Sequence, residues 1–351
     1  MEEVKKENGF KKFMKAVGKK LLEGLKIFGS MFKKDFKKDP NAGMLEWKKD
    51  GLKGALCLAP MLIILAVFTF YPIIKTFIIS FFPDYNYISG EFGRFSLSCY
   101  QQVLADSLFW KGLGNTVIML LVSVPLSVVI ALIISVLLNS IKKLQGMFQT
   151  IFFLPYVTNG IAFGMVFATI FSPEEYGLVN SVLAAFGTGP ITWTGTGNIP
   201  YWAGLLVIVV YTVWNSLAFK ILVFLGGLQG IDKQYYQAAQ IDETPKWRVF
   251  TKITVPLLSP MILYITITSL IGAFKSYSSI VGLFGESMGG AQDRTFITVV
   301  GYIYEYFMYV QVDEAGARLL PLASASAVVL FIIIMIVTFF QMLYNKKKVH
   351  Y

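Results

Sequence analysis

The chain has 351 residues, of which 55% are hydrophobic and only 15% are charged. Its mean hydropathy of +0.61 lies well above that of a soluble domain, so the composition predicts an integral membrane protein. One histidine, His350, and two isolated cysteines, Cys57 and Cys99, form no ligand set or nucleophile–base pair, which argues against a metal site and serine-hydrolase chemistry.

Residues 1–53 form a basic segment before the first long apolar run. Between residues 10 and 36, apolar side chains recur every three or four positions with lysines mostly between them. This pattern is typical of a helix that lies on an anionic membrane surface, and the alternative is a solvated lysine-rich tail. We therefore expect a cytoplasmic N-terminal extension that contacts membrane lipids.

Six apolar segments are long enough to cross a bilayer as helices, which takes roughly 20 residues each. They are approximately residues 55–74, 116–138, 148–171, 201–227, 256–283 and 319–344. The predicted fold is an all-α integral membrane protein, with a transmembrane domain over residues 54–345 and a basic tail over residues 346–351. Within the third segment, the GIAFG sequence at 160–164 fits a close contact between helices.

The distribution of lysine and arginine predicts the orientation in the membrane. Of the 31 basic residues, 24 lie in the two terminal segments and two of the connections, whereas the opposite loops hold four. Cytoplasmic loops are enriched in lysine and arginine, so both termini are expected in the cytoplasm. The formal charge of +10 is thereby explained by topology, and no nucleic-acid partner is expected.

A polar stretch at residues 232–260 separates the fourth and fifth apolar segments. Asp232 can cap a short helix, Asp242 and Glu243 lie in the break that follows, and Pro245 suits the first turn of a second helix. The second helix places three apolar side chains at three-residue steps: Trp247, Phe250 and Ile253. We expect a helix–turn–helix on the cytoplasmic surface whose exposed face fits a groove on a partner.

This stretch resembles the EAA loop of permeases from ATP-binding-cassette importers. The positions that match in register are Ala238, Ala239, Asp242, Phe250, Ile253, Pro256, Leu258 and Pro260. Further stretches look like the carbohydrate branch of these permeases, similar to the larger maltose permease subunit, and the resemblance covers roughly residues 54–345. They are FWKGLGNTV (109–117), FFLPYV (152–157), YGLVN (176–180), FLGGLQGI (224–231) and ASASAVVLFIII (323–334).

The resemblance implies a type I importer permease in the bacterial cytoplasmic membrane that forms half of a carbohydrate path. It also implies a second homologous permease, two ATPase subunits that hold ATP and magnesium, and an extracellular solute-binding protein. The coupling residues it implies are Gln237, Ala238, Ala239, Asp242, Glu243, Phe250 and Pro256. Two of them depart from the pattern, because Gln237 replaces a glutamate and Glu243 replaces a glycine. Either the turn differs here or the Glu243 carboxylate has a role of its own.

By the same resemblance, the spans on either side of the loop line the substrate path. These spans contain two lysines, Lys220 and Lys275, and charged residues within spans are rare and generally functional. Further polar or aromatic residues accompany them: Trp214, Asn215, Tyr277 and Ser278. Such side chains can bind sugar hydroxyls and ring faces, or they can bridge neighbouring helices.

Two other classes of protein fit the sequence less well. An ion-coupled secondary transporter of a small polar solute commonly uses carboxylates or histidines within the membrane, and the six segments contain none. A membrane enzyme would need a catalytic acid, a nucleophile–base pair or a metal cluster, and the sequence contains no such pattern. No catalytic residue and no cofactor is therefore expected in this chain.

Overall fold

A computed structural model of the protein describes residues 47–86, 89–141, 145–175, 177–195, 197–289, 294–309 and 319–345. Every regular element within these ranges is a helix, which confirms the all-α fold. The predicted surface helix at residues 10–36 and the basic tail at 346–351 lie outside the described residues and stay predictions.

The chain divides into two compact units, Met1–Phe70 and Tyr71–Tyr351. In the first unit, α1 (Trp47–Leu65) is followed by a π-helical turn at Ala66–Phe70. The helices of the second unit are α2 (Tyr71–Ile79), α3 (Ser98–Ala105), α4 (Ser107–Ser140), α5 (Gln145–Val157), α6 (Gly160–Ile170), α7 (Leu178–Ala185), α8 (Tyr201–Gln229), α9 (Lys233–Ile241), α10 (Lys246–Val249), α11 (Val255–Leu257), α12 (Ser259–Phe274), α13 (Ser278–Phe284), α14 (Val299–Tyr304) and α15 (Leu320–Asn345). Two further π-helical turns follow α10 and α14, at Phe250–Thr254 and Glu305–Tyr309.

Four helical stretches are long and apolar enough to cross a membrane. They are Ala55–Ile79, Ser107–Ser140, Tyr201–Gln229 and Leu320–Leu343, and each overlaps one predicted segment. A fifth is reached only if Lys246–Leu257 and Ser259–Phe274, which are bent by 67°, count as one span. Six continuous spans are therefore not confirmed in the described part of the chain.

The two remaining predicted segments are broken helices. Segment 148–171 is divided between α5 and α6, and the Asn159 side chain caps α6 by accepting a hydrogen bond from the Ile161 amide at 2.9 Å. Segment 256–283 is interrupted after Phe274, where Lys275 leaves the helix before α13 begins. Hydropathy averages over a window and does not register a capping residue inside an apolar run, so the sequence analysis missed both breaks.

Helices α4 and α8 make the most extensive contact between helices in the second unit. The buried side of α4 has small residues one turn apart: Ser123, Ser127, Ala131 and Ser135. The Ser135 hydroxyl donates to the Ala131 carbonyl at 2.6 Å and lies 3.3 Å from the Ile221 carbonyl of α8. Small side chains allow close approach of two backbones, which explains why these helices pack along most of their length.

Asn115 connects the beginning of α4 to two distant parts of the chain. Its amide nitrogen donates to the carbonyls of Thr295 and Ile297, each at 2.9 Å. Its amide oxygen accepts a hydrogen bond from the Tyr201 hydroxyl at 3.0 Å. A buried polar side chain is stable when its donors and acceptors are matched in this way, so Asn115 has a structural role here.

Asp106 makes a second connection at the same end of α4. One carboxylate oxygen caps the helix by accepting from the Leu108 amide at 2.8 Å. The other accepts from the hydroxyls of Tyr302 at 2.7 Å and Tyr306 at 3.3 Å. Burial and the hydrogen bond to Asp106 raise the pKa of Tyr302, so this phenol stays protonated and remains a donor.

Candidate functional site

The polar stretch at 232–260 folds as two short helices joined by a tight turn. Helix α9 begins after Asp232, whose carboxylate accepts a hydrogen bond from the Gln234 amide at 2.9 Å. The turn closes through the Thr244 amide, which donates to the Ala239 carbonyl at 2.9 Å. Helix α10 then begins after Pro245. We call residues 232–260 the hairpin.

The hairpin is attached to the bundle by its inner surface. Ala239 is buried, and the Tyr236 hydroxyl lies 3.2 Å from the Thr254 hydroxyl across the hairpin. Phe250 packs against the hydrophobic cluster that α4 and α8 share. Pro256 is half-buried in α11, where the chain turns toward α12. The inner surface of the hairpin is therefore packed against the helices of the bundle.

The outer surface of the hairpin is exposed and partly apolar. Four of the predicted coupling residues lie there: Gln237, Ala238, Asp242 and Glu243. Two large apolar side chains accompany them, since Ile241 is 83% exposed and Trp247 is 74% exposed. Exposed apolar side chains next to polar ones are typical of a surface that binds another protein.

The backbone of Glu243 has a φ of +49°, in the left-handed region that favours glycine. The turn therefore has the geometry for which a glycine is suited, although the side chain is a glutamate. The Glu243 amide still donates to the Gln240 carbonyl at 3.1 Å. The sequence left open either a different turn geometry or a separate role for the Glu243 carboxylate. The positive φ shows that the turn keeps the geometry suited to glycine.

We expect Glu243→Gly to stabilise this turn by about 1 kcal/mol, because glycine adopts a left-handed conformation without the steric cost of a Cβ. Hydrogen–deuterium exchange of residues 240–245 in the purified protein measures the effect, and exchange should slow by roughly fivefold. Glu243→Ala is the control, since it removes the carboxylate and keeps the Cβ. Equal protection in both variants would mean that the carboxylate, and not the backbone conformation, determines the stability of the turn.

A cavity of about 400 Å³ lies between α4, α8, α12 and the segment that follows α12. Five of the six residues predicted for the substrate path line it: Asn215, Lys220, Lys275, Tyr277 and Ser278. The sixth, Trp214, is not among the lining residues and lies on the exposed side of α8. Successive residues of a helix point about 100° apart, so Trp214 and Asn215 face different directions.

Several hydroxyl groups that line the cavity were missed by the sequence analysis. They are contributed by Ser123, Ser127, Thr212, Ser216, Thr268, Ser269 and Ser276. For Ser123 and Ser127, the spacing of four residues along an apolar helix was an available signal, because it places small polar groups on one face. The residues from α12 have no comparable pattern. The cavity wall is thus rich in hydrogen-bonding groups, with aromatic side chains such as Tyr156, Tyr211 and Phe219 beside them.

The two lysines occupy different environments. Lys220 is only 4% exposed, and its ammonium group donates to the Ser127 hydroxyl and, at 3.2 Å, to the Ser216 hydroxyl. Lys275 is exposed and follows the last residue of α12. Lys220 therefore lies in the interior of the bundle. Next to Lys275, the Tyr277 ring stacks on Tyr304 with 4.2 Å between ring centres.

The hairpin and the cavity share two helices. Helix α8 contributes Asn215 and Lys220 to the cavity and ends at Gln229, three residues before the hairpin begins. Helix α12 follows α11 at the other end of the hairpin and contributes Thr268. The hairpin therefore lies in the chain between two helices that line the cavity.

Comparison with known proteins places these features in a family. Residues 103–351 match the family described as "Binding-protein-dependent transport system inner membrane component". The lactose transport system permease protein LacF of Rhizobium radiobacter is 34% identical over 289 residues, which cover 82% of this chain and 90% of LacF. The arabinooligosaccharides transport system permease protein AraP of Bacillus subtilis (strain 168) is 31% identical over 81% of this chain and 85% of AraP.

A solved structure has the same fold. It is the crystal structure of a bacterial ABC transporter involved in the import of the acidic polysaccharide alginate, and one of its chains superposes with a TM-score of 0.68. The match covers 86% of this chain and 97% of that chain at 18% identity, so it establishes the fold alone. Together with the family match and the two relatives, it leads to one conclusion: this chain is a multi-pass membrane protein that belongs to the family of binding-protein-dependent transport system inner membrane components.

Proposed function

We propose that this chain forms half of the transmembrane path of an ATP-driven importer for a sugar or oligosaccharide. A second homologous permease supplies the other half, an extracellular binding protein delivers the substrate, and two ATPase subunits provide the energy. The family description and the named substrates of the two relatives, lactose and arabinooligosaccharides, support this proposal. This chain contributes conformational coupling and substrate passage, while ATP and magnesium bind to the ATPase subunits.

The observation that carries the proposal is the direct connection between the hairpin and the cavity through α8 and α12. Closure of two ATPase subunits would move a hairpin docked on them, and both attached helices would follow. The docking contacts are assigned to the exposed residues around Ile241, with Gln237, Ala238 and Asp242 beside it. Ala239, Phe250 and Pro256 transmit the movement from the inner side.

The cavity is suited to a polar substrate. Asn215, Ser278 and the other hydroxyl side chains supply hydrogen bonds, and Tyr277 supplies an aromatic face. A carbohydrate needs both, because its hydroxyls require partners and the C–H face of its ring is apolar. We accordingly assign Asn215, Lys220, Lys275, Tyr277 and Ser278 to the substrate path, and we leave Trp214 out of it.

The orientation follows from charge. With 24 basic residues on one side and four on the other, both termini and the hairpin are assigned to the cytoplasm. The hairpin can then meet cytoplasmic ATPase subunits, while the long loop between α6 and α8 faces the extracellular binding protein. An ion-coupled transporter is the weaker candidate, because family membership favours a binding-protein-dependent system and the four long spans contain no carboxylate.

Purification of the tagged protein from native membranes in mild detergent, with mass spectrometry of the co-purifying chains, tests this assignment. A second permease and a subunit with an ATP-binding P-loop should co-purify with the wild-type protein. The double variant Ile241→Glu, Asp242→Arg should lower ATPase recovery at least about tenfold. The first substitution buries a charge in the contact, and the second reverses the sign of an existing charge. The second permease should still be recovered, since it binds elsewhere.

Phe186→Glu is the matched control, because Phe186 is as exposed as Ile241 but lies beyond α7, in the loop assigned to the outside. It should leave ATPase recovery unchanged. If wild type is isolated alone under conditions that preserve other membrane complexes, the importer assignment is wrong and a self-sufficient transporter becomes the better description.

A further inference from the structure

The charges that line the cavity are of one sign. Among the described residues that form its wall, Lys220 and Lys275 are charged and no aspartate or glutamate is present. A cavity built only to bind neutral sugar hydroxyls needs donors and acceptors, and it has no use for a net positive charge. The wall therefore differs from what a neutral carbohydrate requires.

Lys220 has hydrogen-bond partners but no counter-charge in the described part of the chain. Its ammonium group donates to Ser127 and Ser216. Each of these hydroxyls donates its own proton to a carbonyl of the same helix, Ser127 to Val124 at 2.9 Å and Ser216 to Val213 at 3.0 Å. Both serines thus act as acceptors that orient the ammonium group. Neither neutralises its charge, and the third N–H remains for another acceptor.

Ser123 provides a second, independent observation on the same wall. It is 2% exposed, and its hydroxyl has no hydrogen-bond partner within the described structure. It lies one helical turn before Ser127 on α4 and lines the cavity. Buried hydroxyls without a partner are uncommon in proteins, and each one calls for an explanation such as a bound ligand.

We propose that Lys220 and Ser123 form a subsite for an anionic oxygen group of the transported carbohydrate. An ammonium N–H and a hydroxyl donor together match a carboxylate, phosphate or sulfonate group, and such a group supplies the missing negative charge. Lys275, which lines the same cavity, adds to the attraction. This inference rests on the proposed function, and it narrows the substrate from any carbohydrate to one that carries an acidic group.

Thermal unfolding of the purified full chain, with the subunits that co-purify with it, tests the subsite. The probes are sodium glucuronate, sodium glucose 6-phosphate and glucose, with sodium chloride and sodium sulfate at matched ionic strength as salt controls. We expect the acidic sugars to bind roughly tenfold more tightly than glucose, as a charge-assisted hydrogen bond predicts. The acidic sugar with the larger rise in Tm identifies the preferred anionic group.

Two variants separate the subsite from general charge effects. Lys220→Gln should remove the preference for acidic sugars, and Ser123→Ala should reduce it several-fold with little change in packing. Lys111→Gln, which alters a lysine of α4 outside the cavity, should retain the full preference. Should Lys220→Gln fail to fold, Ser123→Ala still tests the subsite.

Three outcomes would overturn the proposal. Equal stabilisation by glucose and glucuronate would mean that the cavity binds neutral sugar, and an equal effect of sulfate would indicate an adventitious ion only. A preference that persists in both Lys220→Gln and Ser123→Ala would place the anion elsewhere. None of these results affects co-purification with the ATPase, so failure of the subsite is distinguishable from failure of the importer assignment.

Discussion

Replacing Gly282 by leucine is expected to destabilise the protein by about 3 kcal/mol or more, because overpacking against backbone cannot be relieved by a rotamer change. A Cβ at Gly282 would lie 2.8 Å from the Ile161 carbonyl oxygen and 3.0 Å from the Gly164 Cα. These atoms belong to the backbone of α6, so α6 and α13 would have to separate. The measurement is the Tm of the purified protein in detergent, together with its yield as a monodisperse species.

Gly114→Leu is the matched control for this prediction. Gly114 lies in α4, and a Cβ there would meet no atom within 4 Å. An exposed leucine in a membrane-spanning helix replaces a residue with weak helix propensity, so this variant should be as stable as wild type or slightly more stable. If both leucine variants have the wild-type Tm, the close crossing of α6 and α13 is not a determinant of stability.

Replacing Asn180 by alanine has the second large expected effect. Asn180 is 1% exposed, and its amide oxygen accepts from the Ile191 amide at 3.1 Å and from the Trp193 indole at 2.8 Å. Its amide nitrogen lies within hydrogen-bond distance of four backbone carbonyls: those of Ser172, Pro173, Glu174 and Ile191. Alanine would leave several of these groups without a partner, at a cost of about 3 kcal/mol in total.

Because Asn180 organises the loop between α6 and α8, the effect should be local. Limited proteolysis of membrane vesicles should cleave residues 172–200 at least tenfold faster in Asn180→Ala than in wild type. Asn198→Ala alters an exposed asparagine in the same loop and should leave the cleavage rate unchanged. Equal cleavage of all three proteins would contradict the role assigned to Asn180.

The glycines at positions 160 and 164 show what a spacing motif can and cannot predict about helix contacts. Their spacing predicts a close helix contact, and the structure confirms one at Gly164, which meets Gly282 of α13. The partner helix could not be named in advance, because a spacing rule describes one helix and contains no information about the other. Gly160 has a different contact, since its carbonyl accepts a hydrogen bond from the Tyr211 hydroxyl at 2.8 Å.

The hairpin was predictable in more detail than any other part of the molecule. The cap at Asp232 and the break at residues 242–245 depend on local chemistry, which acts over three or four residues and is therefore written in the sequence. The left-handed backbone conformation of Glu243 could not be predicted from the sequence, because glutamate does not favour it and the surrounding turn imposes it.

The sequence by itself determined the membrane environment, the helical class, the long spans and the family resemblance, because these depend on composition, periodicity and local spacing. Only the tertiary structure decided that two apolar segments are broken, that Trp214 points away from the cavity, and that Ser123 and Ser127 join Lys220. These features arise from the packing of helices that are far apart in the chain. Each helix has several faces of similar hydrophobicity, so the direction that a polar side chain takes is fixed by its neighbours.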